Sequence, residues 1–488
     1  MIYENELIQS RYENLNKLYE KGIKPYGQKF TITHSSGEIL DHHEELENTD
    51  ISLAGRIMSI REHGKACFGN LKDGTGQIQF YLNIDGVGED NFELFKLFDL
   101  GDFVGIKGTV FVTRRGEVTV RVDEFVMLSK ALRPLPEKWH GLKDIEIRYR
   151  QRYLDLIVND EVRETFVHRS IIIQEIRELL NERGFLEVET PVMSVVAGGA
   201  AARPFQTHHN ALDIDLFLRI ATELHLKRLL VGGFEKVYEL GKVFRNEGIS
   251  TIHNPEFTSL EVYQAYADYT DMMDLTEELV SRLCLRLFNK TRIGYRGREL
   301  DFTPPWPRLS MVDAVKKYAG VDFNKIEDRH QAYKEALALG IDIDTEMHDS
   351  WGHVLSCIFE NICEEKLEQP VFIYGYPVEI SPLAKTNRED PRFTDRFEAF
   401  VDGKEIANAF SELNDPVVQR KRFEEQIARR EKGDREAHMM DEDFLTALEY
   451  GMPPAGGLGI GLDRLIMLLV GSTSIRDVIL FPTLKPRI

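Results

Sequence analysis

The sequence is poor in several features that would have fixed its class at once. Its 488 residues hold only four cysteines, Cys67, Cys284, Cys357 and Cys363, with no C-x-x-C and no closely spaced framework. That excludes a disulfide-stapled scaffold and suits thiols buried in a reducing compartment, so a cytoplasmic location is expected. No run approaches the roughly 18 apolar residues of a membrane span, and none is expected. The start, MIYENELIQSRYENLNKLYEKG, carries acids and no apolar stretch, so no signal peptide is expected. Positive charge is also scarce: 61 Lys and Arg stand against 81 Asp and Glu, a formal net charge of −20. A surface globally attractive to nucleic acid or anionic lipid is thereby disfavoured, though a local basic track is not. G-K-[ST] and G-x-G-x-x-G are both absent, which excludes a P-loop and a dinucleotide fingerprint. The pairs His42-His43 and His208-His209 lack a second pair at ligand spacing, so they do not read as a metal site.

What remains is an ordinary globular composition, 42% hydrophobic and 29% charged, on a chain long enough for two or three domains. Residues 1–50 read as an N-terminal helix and extension. From 51 to 130, five short β-rich runs separated by DGTG, GD and RRGE fit a small Greek-key barrel, with the OB-fold as the size-matched candidate. Such barrels present aromatic and polar groups to single-stranded nucleic acid. Arg61, Phe68, Gln79 and Glu117 are placed on that face, with ordinary sheet positions as the alternative. Residues 131–150, rich in proline and mixed charge, read as a linker. Residues 151–488 read as an antiparallel-dominated α+β domain with a helical insertion around 310–370.

Three stretches of that domain carry chemistry. In FRNEGISTIHNPEFTSLEVYQAYADY (244–269), two strands flank a loop holding Gly248 and Pro255. Side chains alternate along a strand, so Phe257, Ser259, Glu261 and Tyr263 share one face and leave the more apolar face to Thr258, Leu260 and Val262. Arg245 ends the first strand with a planar fork suited to phosphate or carboxylate. An amphipathic hairpin facing water is the alternative. In RFEAFVDGKEIANAFSELND (396–415), Asp402-Gly403 marks a two-residue hairpin. It would set Glu398 opposite Ala407 and bring Glu398 and Glu405 onto one face, roughly 7–8 Å apart at most. Two carboxylates can share Mg²⁺, or they can simply be exposed. Asn408, Phe410 and Glu412 would then face the other way, so serving one pocket requires a bulge near 407–409. In YGMPPAGGLGIGLDRLIMLLVGS (450–472), four glycines precede an apolar helix that begins Asp463-Arg464. A glycine-rich turn there would let backbone approach a ligand. GGAAARPF (198–205) offers loop amides around Gly199, and TELHLKRLL (222–230) opens with Thr222 as an N-cap and Glu223 in the first turn.

Together with RYRQRYLDLI and the strand broken by Pro191, these segments resemble class II aminoacyl-tRNA synthetases over almost the whole chain, and FRNEG with HNPEFT and E-x-Y resembles their lysyl branch. The resemblance implies ATP-dependent activation of L-lysine by attack of its carboxylate on the α-phosphate. Transfer to the 3′ end of tRNA(Lys) follows. It further implies a homodimer through the Pro191 region. By the same resemblance Arg245 holds the α-phosphate and Arg464 the γ-phosphate. Phe257 stacks on adenine, Glu247 and Asn254 meet its edge, and His253 meets phosphate. Glu398 and Glu405 hold Mg²⁺. Gly199 and Glu223 take the α-amino group, and Asn408 lies near the carboxylate. Phe410 belongs to the lysine site, while Glu261, Tyr263 and Glu412 receive the ε-ammonium. The barrel reads the anticodon. Where the family often has G-N-G, this chain has Ala407-Asn408-Ala409. The alternatives are an aspartyl or asparaginyl enzyme of the same class and a non-catalytic tRNA-binding paralogue.

Overall fold

A computed structural model of the chain describes residues 6–27, 29–136, 142, 144–343, 350–434 and 436–486. It contains two compact units, 1–143 and 144–488. Much of the expected linker, 137–141 and 143, lies outside the described residues. The helix Ile145–Arg150 already belongs to the second unit.

The first unit is built on β1 (Asp50–His63), β2 (Ala66–Lys72), β3 (Gln77–Asn83), β4 (Phe103–Val112) and β5 (Val118–Ser129). They close in the order β1-β2-β3-β5-β4, which leaves no free sheet edge. Alternation sends Leu71, Ile78, Phe80, Val104, Ile106, Val120 and Val122 into the barrel. Phe80 fills the interior only because Gly69 faces it. A Cβ at Gly69 would run into the Phe80 ring and lie 2.5 Å from the Ser59 carbonyl. The N-terminal helix, Glu6–Glu20, buries Leu15 and Leu18, and Arg11 donates to the carbonyls of Leu100 and Ala131 at 2.8 and 2.9 Å.

The second unit contains β6 (Leu186–Glu187), β7 (Met193–Ser194), β8 (Gln206–His209), β9 (Ile214–Leu218), β10 (Lys236–Phe244), β11 (Glu256–Ala265), β12 (Arg292–Tyr295), β13 (Arg298–Asp301), β14 (Arg308–Ser310), β15 (Val371–Tyr374), β16 (Arg396–Val401), β17 (Lys404–Ser411) and β18 (Ala455–Gly461). Eight of these form one sheet, β14-β15-β16-β17-β18-β11-β10-β6, antiparallel in its interior and parallel only at the two ends. The helices between β14 and β15 form the crossover that a parallel pair demands, with a core of their own around Phe323, Leu355 and Phe359. One sheet face packs Leu260, Val262, Ala407, Ala409, Leu458 and Ile460 against the helices Tyr269–Phe288 and Leu462–Leu469. The opposite face of the same strands carries the polar groups.

Two local expectations are corrected. The run Ala455–Gly461 is a central strand between β11 and β17, not a turn. Its glycines clear space for neighbours: a Cβ at Gly456 would meet the Asp268 carbonyl, and one at Gly457 would meet Tyr263 and Glu412. The hairpin Asp402-Gly403 forms, but Glu398 faces Asn408, not Ala407. The register slips between Ala399 and Phe400, leaving Ile406 as the bulged residue, earlier than the 407–409 expected.

Replacing Gly69 with Val should force Phe80 out of its rotamer and cost about 1–3 kcal/mol, as overpacking does. Calorimetry of the full chain would show the barrel's transition several degrees lower; an unchanged transition would mean that the strand relaxes freely.

Candidate active site

The polar face of the sheet lines a cavity of about 550 Å³. Phe257, Ser259, Glu261 and Tyr263 of β11 all border it, as their alternation requires. Glu405, Asn408 and Phe410 of β17 border it too. The bulge at Ile406 is what allows this, because it resets the alternation between Glu405 and Asn408. Ala407 and Ala409 turn their methyls into the apolar core, so the Ala-Asn-Ala sequence leaves the cavity wall unchanged.

At one end the cavity is cationic. Arg245 lies over the Phe257 ring, 5.2 Å from its centroid. Arg464, in the first turn of the helix Leu462–Leu469, donates to Glu405 Oε2 at 3.3 Å and contacts His253 Nε2 at 3.1 Å. Burial, then the Arg464 charge, lowers the His253 pKa and keeps its ring neutral. Asp463 fixes this helix. It accepts from the Thr258 N–H at 2.7 Å and from Arg169 at 2.5 Å, and Arg169 also donates to Thr258 Oγ1. Asn254 is buried, donates to the Glu256 carbonyl at 2.6 Å, and leaves its Oδ1 without a partner. Glu247 lines the exposed rim beside Gly248. Gly248 has no positive φ, and a Cβ there would meet nothing, so the free chain does not require glycine at that point.

In the middle, burial and the facing Glu405 carboxylate push Glu398 up to about 7. Glu398 accepts from Tyr376 Oη at 2.9 Å and from Arg396 at 2.6 Å. Arg396 also donates to Asn408 Oδ1 at 3.1 Å, tying β16 to β17 through side chains. Glu364 joins the group from the crossover helices, lifted to about 8 by burial and by Glu398.

The far end is acidic and closed. Glu261 is buried and accepts from the Thr222 N–H at 2.9 Å and the Tyr263 hydroxyl at 3.2 Å. Burial lifts it to about 7. Thr222 sits at the N-cap of the helix Glu223–Val231, but its hydroxyl makes no cap bond; its backbone serves Glu261 instead. Glu223 borders the cavity near Gly199, whose φ of 88° places it in the left-handed region. Glu412 lies behind Gly457, and both it and Glu223 pair with the buried Lys227. Burial raises Glu412 to about 8, against the opposing pull of Lys227. His438 also borders this end, stacked on Phe423 and lowered to about 4 by burial, hence uncharged.

Sequence reading missed Lys227, Arg396, Tyr376, Glu364, Asp463 and His438. Arg396 alone carried a signal, sitting two residues before Glu398 and so on the same strand face. Among the described residues no group of three His, Cys, Asp or Glu is arranged to hold a metal ion.

On the barrel, Arg61, Phe68, Tyr81 and Arg121 are register partners across β1, β2, β3 and β5. Phe68 and Tyr81 lie 4.8 Å apart, centroid to centroid, and Phe111 meets Tyr81 edge-on. Gln79 accepts from the Thr119 hydroxyl at 2.9 Å, and Glu117 lies two residues before Thr119.

Residues 144–485 match the family of class II tRNA synthetases (D, K and N), and residues 51–128 match the OB-fold nucleic acid binding domain. A lysine–tRNA ligase of Pelotomaculum thermopropionicum is 60% identical over 483 residues, covering 99% of this chain and 96% of that protein. A lysine–tRNA ligase of Moorella thermoacetica is 60% identical, with 99% of both chains covered. One of Clostridium botulinum is 57% identical over 99% of this chain and 96% of the relative. Among the described residues no helix is long and apolar enough to cross a membrane. With its larger unit matched almost end to end and its smaller unit matched as an OB-fold, the chain belongs to the class II tRNA synthetases of the D, K and N group.

Proposed function

We propose that the chain is a lysine–tRNA ligase that joins L-lysine to ATP as lysyl-adenylate and passes the lysyl group to tRNA(Lys). The observation that carries the choice of amino acid is the closed acidic end of the cavity. Glu261 and Tyr263 line it and Glu412 meets Tyr263 just behind, at Gly457, so that a compact ammonium could be fully paired. An aspartyl or asparaginyl substrate would bring a carboxylate or amide against these carboxylates. A non-catalytic paralogue does not account for the retained set of Arg245, Arg464, Glu398 and Glu405.

The attacking lysine carboxylate is already ionised near neutral pH, so the first step needs no base. It needs alignment, and stabilisation of the charge that develops on phosphate. Arg245 and Arg464 supply that charge at the open end. Phe257 offers its face to adenine, with Arg245 already lying over that ring. The free Oδ1 of Asn254 suits the exocyclic amine of adenine, while Glu247 and His253 flank the same space. Asn408, held by Arg396, lies between the two ends, where the lysine carboxylate would meet the α-phosphate. Glu223 and the Gly199 backbone take the α-amino group. The facing carboxylates of Glu398 and Glu405 fit a hard divalent cation, because their mutual repulsion is what such an ion relieves. Mg²⁺ bound there would neutralise phosphate charge.

On the barrel, Phe68 offers a stacking face to an anticodon base, with Arg61, Gln79 and Glu117 around it. A cytoplasmic homodimer, paired around Pro191 where Met193 and Val195 are exposed, completes the reading.

Glu261 must be ionised to receive an ammonium and titrates near 7 in the free site. It is protonated below that pH, and Glu412, raised to about 8, is protonated there as well, so KM for lysine in ATP–pyrophosphate exchange should be at least tenfold higher at pH 6 than at pH 8. Glu261→Gln should reduce that step, leaving the part due to Glu412, and raise KM by roughly 10²- to 10³-fold, since one partner of a buried charge is lost. Near-normal exchange at low lysine would refute the assignment.

Phe68→Ala should weaken binding of the tRNA(Lys) anticodon stem-loop by about 1–3 kcal/mol and leave lysine-dependent exchange unchanged. Binding titrations at two salt concentrations would check this, the wild-type affinity falling at the higher one.

A further inference from the structure

The proposed reaction leaves Lys227 without a task, although it is among the most deeply buried side chains of the unit. Its Nζ lies 2.5 Å from Glu223 Oε1 and forms an ion pair with Glu412, with the Phe410 ring 5.3 Å away. Burial opposes its charge, but the two carboxylates outweigh that and hold its pKa above the ordinary value. Glu223 comes from the first turn of the same helix, whereas Glu412 follows β17, so the ammonium joins two distant segments at the cavity floor. Each carboxylate keeps an oxygen free of Lys227. Glu223 faces the cavity, and Glu412 Oε1 has no partner and lies at the space left by Gly457, beside the Tyr263 ring.

We propose that Lys227 is a positioning residue that sets the charge count of the amino-acid site, so that the site is complete only with a ligand bearing two ammonium groups. The inference rests on the lysine–tRNA ligase reading. Three buried carboxylates, Glu223, Glu261 and Glu412, meet at this end. Lys227 compensates one of them permanently. The α- and ε-ammonium groups of lysine compensate the other two, while the ligand carboxylate points toward the arginines. The remaining charged groups nearby do not change the count. Arg396 is committed to Glu398 and Asn408, and His438 is neutral. A ligand with one ammonium would leave a buried carboxylate unpaired, so that it takes up a proton and the ion pair of that position is forgone. Discrimination would then come from this count as well as from shape, with the resident ammonium also holding Glu223 and Glu412 at fixed positions.

The test is steady-state ATP–pyrophosphate exchange with L-lysine on the full-length enzyme and three variants, Lys227→Met, Glu412→Gln and the double substitution. Lys227→Met leaves three carboxylates for two ligand ammonium groups, and its KM for lysine should rise at least tenfold. The ATP KM should stay within twofold and kcat within threefold. Glu412→Gln leaves one ammonium in excess. The double variant restores two against two, so its KM for lysine should fall below that of Glu412→Gln by threefold or more. This second comparison holds even if Lys227→Met alone does not fold. A double variant no better than Glu412→Gln would overturn the proposal, as would kcat and both KM values shifting together. Failure of the wild-type chain to exchange with lysine would instead overturn the ligase reading itself.

Discussion

A charge withdrawn from water must be paired, and the central sheet of the larger unit is organised by that requirement. β11, β17 and β18 are interior strands of an antiparallel array, in which one face ordinarily packs on the core and the other meets water. Here one face is apolar and the other carries Glu261, Tyr263, Asn408 and Phe410, with Glu412 just beyond the end of β17. Its charged groups take partners brought from elsewhere. Thr222 reaches Glu261 through its N–H, Arg396 reaches Glu398 from two residues away, and Lys227 reaches Glu412 from a helix. Even the helix bearing Arg464 is docked by a charge, Asp463, held by Arg169 and the backbone of Thr258.

The parts of this arrangement that depend on period were legible in the sequence. Strict alternation placed Phe257, Ser259, Glu261 and Tyr263 on one face, and the structure has them lining one cavity. Asp402-Gly403 announced its hairpin, and the five β-rich runs between 51 and 130 announced the barrel. The misses share a cause: each turns on packing between segments distant in the chain. The bulge falls at Ile406, where β16 and β17 shift register, and this changes the partner of Glu398. Glycine reads locally as a turn, yet Gly456 and Gly457 are demanded by Asp268, Tyr263 and Glu412, none of them near in sequence. Thr222 and Glu223 looked like a helix start, and nothing local told that the Thr222 amide was needed by Glu261, thirty-nine residues on.

The barrel meets the same constraint with less burial. Its core is apolar and includes Phe80, so the alternate strand positions carry the outward polar and aromatic residues, and closure fixes which of them align. Register carries Arg61, Phe68, Tyr81 and Arg121 into one cross-strand row, two rings with a cation at each end. A net charge of −20 for the chain as a whole is compatible with such a row, because stacking and a few local cations act over short distances in salt. Sequence identified Phe68 and Gln79 one at a time. Only the register shows that Tyr81 extends the aromatic surface.

A site that works by alignment places different demands on its scaffold from one that works by a nucleophile. No side chain has to move a proton in the activation step, so no strained loop is needed to present one. What matters is that cationic, neutral and acidic groups hold their spacing along a single direction. Interior strands suit this, since each position is fixed by neighbours on both sides. The cost falls on shape: three strands carrying large polar side chains toward one cavity would crowd one another. The glycine-rich strand β18 resolves that conflict. By contributing backbone and almost no side chain between β11 and β17, it leaves Tyr263 and Glu412 room to converge above Gly457. The glycines therefore serve the closed acidic end of the cavity more directly than the cationic one, and a side chain at Gly457 would fill the space between Tyr263 and Glu412 in which we propose an ammonium is received.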